Sequence, residues 1–300
     1  VSADPLYTIH SEPTAQRPVL IHSFQGFLDA GGAPTLAADH LLATLEHRLV
    51  ATFDSDSFLD YRARRPRLTF VRDHYANAAI PQINLYEVKD TNGTPFLLLV
   101  GPEPDYRWQA FISAVTDLVD QLGVRLVVSL GAIPWPISHT RPAQLTAHAT
   151  DPAMVSSFTP WVDQIEVPGH VSGLLELHLG ETGHSAMGYV VHVPQYLAQF
   201  QYPRSAMALL DSVSQSTGLS LPSGALEPAA VQADSEITEH LSTSPELAQV
   251  VSNLEQQYDA MANGRELLPG PTVTPIPSAD EIAAQVEAFL AEQVPGNEDR

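Results

Sequence analysis

The sequence predicts an α/β fold: a mixed β-sheet with helices on both faces, followed by an acidic helical region. Three observations carry this reading. Short runs that are apolar on both faces alternate with amphipathic runs through the first 220 residues, the pattern of strands buried between helical layers. The stretch PVLIHSFQGFLDAGGAPTLAADHLL, Pro18–Leu42, is a buried strand, a glycine-rich turn and a helix in one continuous run. Asn92-Gly93, inside DTNGT and flanked by apolar runs, signals a tight hairpin, which makes the sheet mixed.

The elements follow in order. Val19–Phe24 is a core strand, and Gly26, Gly31 and Gly32 permit backbone conformations that a Cβ would penalise before a helix over Thr35–Glu46. Arg48–Phe53 is a second strand, and Leu68–Val71 a short extended piece at a sheet edge. Ile83–Val88 and Phe96–Val100 flank the Asn92-Gly93 turn, both of whose residues are expected at positive φ. Tyr106–Leu122 places Phe111, Val115, Leu118, Val119 and Leu122 on one helical face, with Gly123 as its C-cap. Arg125–Leu130 is an apolar strand ended by Gly131. Leu145–Ala149 alternates, His170–Leu179 is helical, Gly188–Val193 is a strand, and Ser205–Ser216 closes the core as a helix. Beyond a boundary near 225 come helices over Ala229–Leu241 and Pro245–Ala262, the second N-capped by Ser244. A proline-rich tether at 267–278 and a last helix over Ala279–Glu292 complete the chain.

Composition narrows the function classes. The formal charge of −21 disfavours nucleic acid, whose phosphates need a basic surface. Residues 226–300 hold fourteen acidic side chains against Arg265 and Arg300, a net of −12, which marks the C-terminal region as distinct. With no cysteine, disulfides, thiolate catalysis and cysteine-ligated metals are excluded. No apolar run approaches the roughly 20 residues of a membrane helix, and VSADPLYTIH lacks the features of a secretory signal. The expectation is a soluble cytoplasmic protein without membrane contact.

Three loops could carry chemistry. Gly26–Gly32 sits between strand and helix, where doubly wound sheets bind ligands, and a helix N-terminus suits an anion. Yet no Gly-Lys-Ser/Thr follows, the spacing is not GxGxxG, and Asp29 would repel a phosphate, so Asp29, Gly31 and Gly32 are read either as a pocket wall or as a capped turn. The second loop has Arg62, Arg64, Arg65 and Arg67 within six residues. Guanidinium forks suit carboxylates and phosphates, or pair within the chain or between subunits with local Asp/Glu, including Asp54, Asp56 and Asp60. The third, Gly131–Pro142, offers His139 as an acid or base and Arg141 as an anion clamp, or else is a rigid proline-rich connection. The histidines His170, His178, His184 and His192 have no metal-ligand spacing, and no GxSxG or SxxK motif is present. No metal, cofactor or catalytic set is assigned.

GFLDAGGAPTLAADHLL resembles the signature segment of the proteasome assembly chaperone superfamily, second type, in its actinobacterial branch. DYRARRPRLTF, LVVSLGAIPWPISHTRP with LTAHATD, and HSAMGYVVHVPQYL with QYPRSAMALL fit the same family, over about residues 15–218. The resemblance implies a three-layer α/β/α core like that of nucleoside phosphorylases and hydrolases, a homo-oligomer such as a trimer, and a small helical C-terminal addition. It carries over no catalytic residues. Superfamily members that dock onto proteasome rings use a hydrophobic–Tyr–X ending; this chain ends GNEDR.

Two functions follow as expectations. The first is a non-enzymatic assembly or scaffolding oligomer with a protein partner. The alternative is a binding protein or hydrolase/phosphorylase-type enzyme for a small anionic or nucleoside-like molecule, using a pocket where the three loops converge. A further possibility is an acidic C-terminal arm that covers the arginine loop in cis.

Overall fold

The computed structural model describes residues 5–159 and 164–262. The proline-rich tether and the last helix expected from the sequence lie outside these residues. Ten strands are described: β1 (Tyr7–Ile9), β2 (Val19–Gln25), β3 (His47–Phe53), β4 (Arg67–Val71), β5 (His74–Ala79), β6 (Asn84–Lys89), β7 (Pro95–Pro102), β8 (Leu126–Trp135), β9 (Leu145–Ala149) and β10 (Ala186–Pro194). The helices are α1 (Ala33–Thr44), a single turn α2 (Ser55–Phe58), α3 (Trp108–Gln121), α4 (Val171–Glu181), α5 (Pro203–Thr217), α6 (Glu227–Thr243) and α7 (Pro245–Ala262).

Eight strands form one mixed sheet in the order β1-β3-β6-β7-β2-β8-β10-β9. The central strands β7, β2, β8 and β10 run parallel, and the outer pairings are antiparallel. Alternate residues of these strands feed two cores. On one face Val19, Ile21, Val128, Leu130 and Val191 pack with Ala37 and Leu41 of α1 and Leu209, Leu210 and Val213 of α5. On the other, Leu20, Phe24, Leu97, Leu99 and Val127 pack with Phe111, Val115 and Leu118 of α3 and Val171, Leu175 and Leu179 of α4. The three-layer α/β/α core read from the sequence is thus present.

Several local readings need correction. Gly131 does not end β8. The strand runs on to Trp135 because β10 pairs with it over its whole length, up to Pro194 opposite Trp135. A Cβ on Gly131 would stand 3.2 Å from Val190 Cγ2 and 3.3 Å from Leu28 Cδ1, so the glycine serves close side-chain approach. In the Asn92-Gly93 turn only Gly93 has positive φ, 83°. The Asp90 carboxylate fixes the turn by accepting the N–H groups of Asn92 (2.9 Å) and Thr94 (2.8 Å). Leu68–Val71 is no edge of the main sheet. It is β4, half of a separate antiparallel hairpin with β5.

One compact unit extends through Glu255, past the charge boundary at 225. In it α6 is tied to α5 by Arg204, whose guanidinium meets Asp234 at 2.7 Å and Glu227 at 3.3 Å, and α6 buries Ala230. Ser244 caps α7 through Leu247 N–H. No helix among the described residues is long and apolar enough to cross a membrane.

Candidate functional site

The parallel strands point their carboxyl ends at one edge of the sheet. From adjacent ends there, β2 leads to α1 on one face and β7 to α3 on the other. This divergence is the topological switch point at which open α/β sheets bind ligands.

In this protein the switch point holds carboxylates. Glu103, just after β7, accepts from Phe27 N–H at 3.3 Å through Oε2 and from Val171 N–H at 2.9 Å through Oε1. Gly26 leaves room for it, since a Cβ there would lie 2.7 Å from Glu103 Oε2. Asp29 accepts from Thr35 N–H (3.2 Å) and Thr35 Oγ1 (2.7 Å), capping the start of α1. Burial pushes its carboxyl up, opposed by the two Thr35 bonds. Gly31 and Gly32 take φ of 62° and 57°. Gly31 N–H bonds Ala198 O (2.8 Å), Gly32 N–H bonds Asp29 O (3.0 Å), and Ala33 N–H bonds Ala30 O. The amides that would cradle a phosphate are engaged within the protein.

The second loop lies beside Glu103. Arg64 donates through Nη1 to Glu103 O (2.7 Å) and Asp105 Oδ2 (2.8 Å). Its ion-pair partner is therefore Asp105, not Asp54, Asp56 or Asp60. Asp60 instead accepts Arg62 N–H (2.8 Å) and Tyr106 OH (2.9 Å), bonds that hold its carboxyl below the usual range. Arg62 and Arg65 are exposed.

In the third loop, His139 N–H bonds Tyr196 OH (3.0 Å), and its Nδ1 lies 2.7 Å from the same oxygen. Burial lowers the His139 pKa. Thr140 Oγ1 donates to Glu255, and Arg141 Nη1 stands 3.5 Å from the same carboxylate. Each loop is thus fastened to its own neighbours: Gly31 to Ala198 and Tyr202, Arg64 to Glu103 and Asp105, His139 to Tyr196. Acidic groups of α6 and α7 meet Arg204, Thr140 and Arg141.

Two groupings were not read from the sequence as sites. The first is the β4–β5 hairpin, in which every residue is exposed. Leu68, Phe70, Val71, Tyr75 and Ile80 present apolar surface there, with Phe70 and Tyr75 in edge contact at 5.1 Å. Arg65, Arg67 and Arg72 flank them. The second is a polar row crossing the sheet beneath α4. His22 of β2 pairs in register with Ser129 of β8, Ser129 with Gly188 of β10, and Gly188 with His148 of β9. The available signal was a polar residue or glycine at the matching register position of each of four largely apolar strands. Among the described residues no group of three or more His, Asp or Glu side chains is arranged to hold a metal.

The PAC2 family model matches residues 23–241, from β2 through most of α6. The chain belongs to the PAC2 family. This agrees with the resemblance carried by the Gly26–Leu42 segment. A Mycobacterium tuberculosis protein of unknown function is 45% identical, with a TM-score of 0.82 over 86% of this chain and 92% of its own. A Corynebacterium glutamicum protein of unknown function is 36% identical, with a TM-score of 0.82 over 87% and 99%. A Mycobacterium tuberculosis proteasome-assembly chaperone homologue is 27% identical, with a TM-score of 0.72 over 78% and 99%. No curated protein matches the chain. As a PAC2 protein it thus resembles two proteins of unknown function and a third described as a proteasome-assembly chaperone homologue.

Proposed function

We propose that this PAC2 protein is a cytoplasmic assembly or scaffolding factor. It acts by binding protein surfaces, as a homo-oligomer such as a trimer, and offers an interaction surface on the β4–β5 hairpin. The observation that carries this reading is the hairpin's complete exposure. A lone two-stranded hairpin is at best marginal in water, and large exposed apolar patches mark interaction sites. Its arginines stand on a chain of net charge −21, so the surface it complements best is the acidic exterior of a second copy. Kinship with a proteasome-assembly chaperone homologue supports a protein partner over a metabolite.

The anion-binding alternative falls mainly to Arg62 and Arg65, whose guanidinium groups are exposed, because the amides at Gly31 and Gly32 are engaged. Sedimentation velocity of the full chain over a concentration series tests the leading reading. The expected result is a discrete oligomer that weakens with salt; a monomer at every concentration rejects it.

A further inference from the structure

The polar row beneath α4 has the arrangement of a nucleophile, a base and an orienting acid. His148 Nδ1 lies 2.9 and 2.8 Å from the two Glu176 carboxylate oxygens. A carboxylate only accepts, so this contact places the imidazole proton on Nδ1 and leaves Nε2 as an acceptor. Nε2 and Ser129 Oγ flank the same position above Gly188 without a hydrogen bond between them. Ser129 Oγ lies 2.0 Å, and His148 Nε2 2.6 Å, from the point a Gly188 Cβ would occupy. Any side chain at 188 would displace one or both. The glycine therefore brings together groups from β8 and β9, strands that do not pair with each other.

The surroundings suit such a set. His22, in register with Ser129 on the other side, is fully buried, and burial drives its pKa down to about 3, with His148 and His170 adding to the effect. It is neutral, and its Nδ1 has no hydrogen-bond partner among the described residues, an unmet polar group that a bound polar molecule would satisfy. His170 accepts Gly173 N–H through Nδ1 at 3.0 Å and so carries its proton on Nε2. Glu176 is also hidden, its side chain 16% exposed, while His148 is 36% exposed at the β9 edge of the sheet. Ser129 lies at the inner end, 6% exposed.

We propose that Ser129, His148 and Glu176 form a nucleophilic site for small activated esters. The three roles are recognised by geometry rather than chain order. In the reaction Ser129 Oγ bonds the acyl carbon, its proton passes to His148 Nε2, and the alcohol or phenol oxygen departs. Water then cleaves the acyl-serine and restores the hydroxyl. This chemistry is separate from the hairpin and does not depend on an assembly role.

The test is covalent labelling of the full chain with diisopropyl fluorophosphate, in which Oγ bonds phosphorus, fluoride leaves and the Oγ proton goes to His148 Nε2. Intact-mass and peptide mapping should find one adduct, on Ser129, absent in Ser129→Ala. General-base assistance contributes about 10²–10⁴-fold, so His148→Asn should slow labelling about 100-fold, and Glu176→Gln about tenfold. p-Nitrophenyl acetate turnover should fall in parallel, and thermal melts confirm that the variants fold. A wild-type protein that takes no label at Ser129 overturns the proposal before any variant is needed. So does labelling whose rate His148→Asn leaves unchanged.

Discussion

Replacing Phe70 and Tyr75 together by Glu should dismantle the oligomer while leaving the fold intact. Phe70 is 57% and Tyr75 70% exposed. At about 200 Å² per aromatic side chain, the pair leaves about 250 Å² in water. Burying that area at about 25 cal/mol per Å² is worth about 6 kcal/mol per copy before association costs. Some of this is lost to the tyrosine hydroxyl and to incomplete burial. A remainder of about 3 kcal/mol still corresponds to a dissociation constant raised about 100-fold. Two carboxylates beside Arg67 and Arg72 would also cancel the local positive charge. The two rings contact each other and lie outside both cores, so stability should move by no more than about 0.5 kcal/mol. Sedimentation equilibrium with matched thermal melts reads both quantities. If the variant assembles like the wild type at equal concentrations, the hairpin is not the interface. If it melts much lower, the hairpin supports the core and its exposure was misread.

Three further outcomes follow from the core and its edges. Gly101→Ala should cost about 3 kcal/mol or more, since Gly101 has φ of 152° and a Cβ would stand 2.5 Å from Gln82 O and 2.7 Å from Ile83 Cα; chemical denaturation should show it as a lowered midpoint. Asp29→Ala, which removes both bonds to Thr35, should destabilise by about 1 kcal/mol, and a denaturation curve superimposed on the wild type would mean Asp29 does not cap α1. Glu87 is 4% exposed and accepts from Arg48 Nε (2.7 Å), Thr14 N–H (2.6 Å), Thr14 Oγ1 (3.0 Å) and Ala15 N–H (2.9 Å). Burial works to raise its pKa, but these donors outweigh it and hold the carboxyl below its ordinary 4.5. A depressed folded-state pKa contributes stability above the unfolded value that is lost as pH falls through the folded one. Glu87→Gln should therefore cost about 2 kcal/mol at pH 7, with the gap from wild type narrowing below about pH 4.5; a gap constant with pH would show that the charge is immaterial.

Much of the fold is legible because it depends on local pattern. Val19–Phe24 is apolar on both faces, and β2 is buried at every residue but Gln25. The Phe111, Val115, Leu118 and Val119 face is buried in α3, and Gly123 takes φ of 59° after it. Periodicity of 3.6 or 2 and the left-handed freedom of glycine are properties of a few neighbouring residues.

Less of the candidate site was legible. Gly31 and Gly32 take the positive φ that their turn needs, but which partners their amides find depends on Ala198 and Asp29 and on the path of the segment before α5. Leu68–Val71 reads as a strand, yet nothing in those residues says that its only pairing partner is β5. Gly131 looked like a stop because glycine so often ends an element, while β10 alongside carries β8 four residues further.

The sequence by itself thus determined the α/β class, most strands and helices and the acidic C-terminal region, since composition and short-range periodicity encode all of them, while the PAC2 resemblance rested on whole segments such as GFLDAGGAPTLAADHLL. Only the tertiary structure decided that Glu103 and Asp29 hold the switch point, that the arginine-flanked hairpin stands alone in solvent, and that His22, Ser129, Gly188 and His148 share one row. Those residues are widely separated along the chain, and their meeting depends on the order in which eight strands pair. Strand order is set by long-range hydrogen bonding and by burial of both sheet faces, to which no single segment has access on its own.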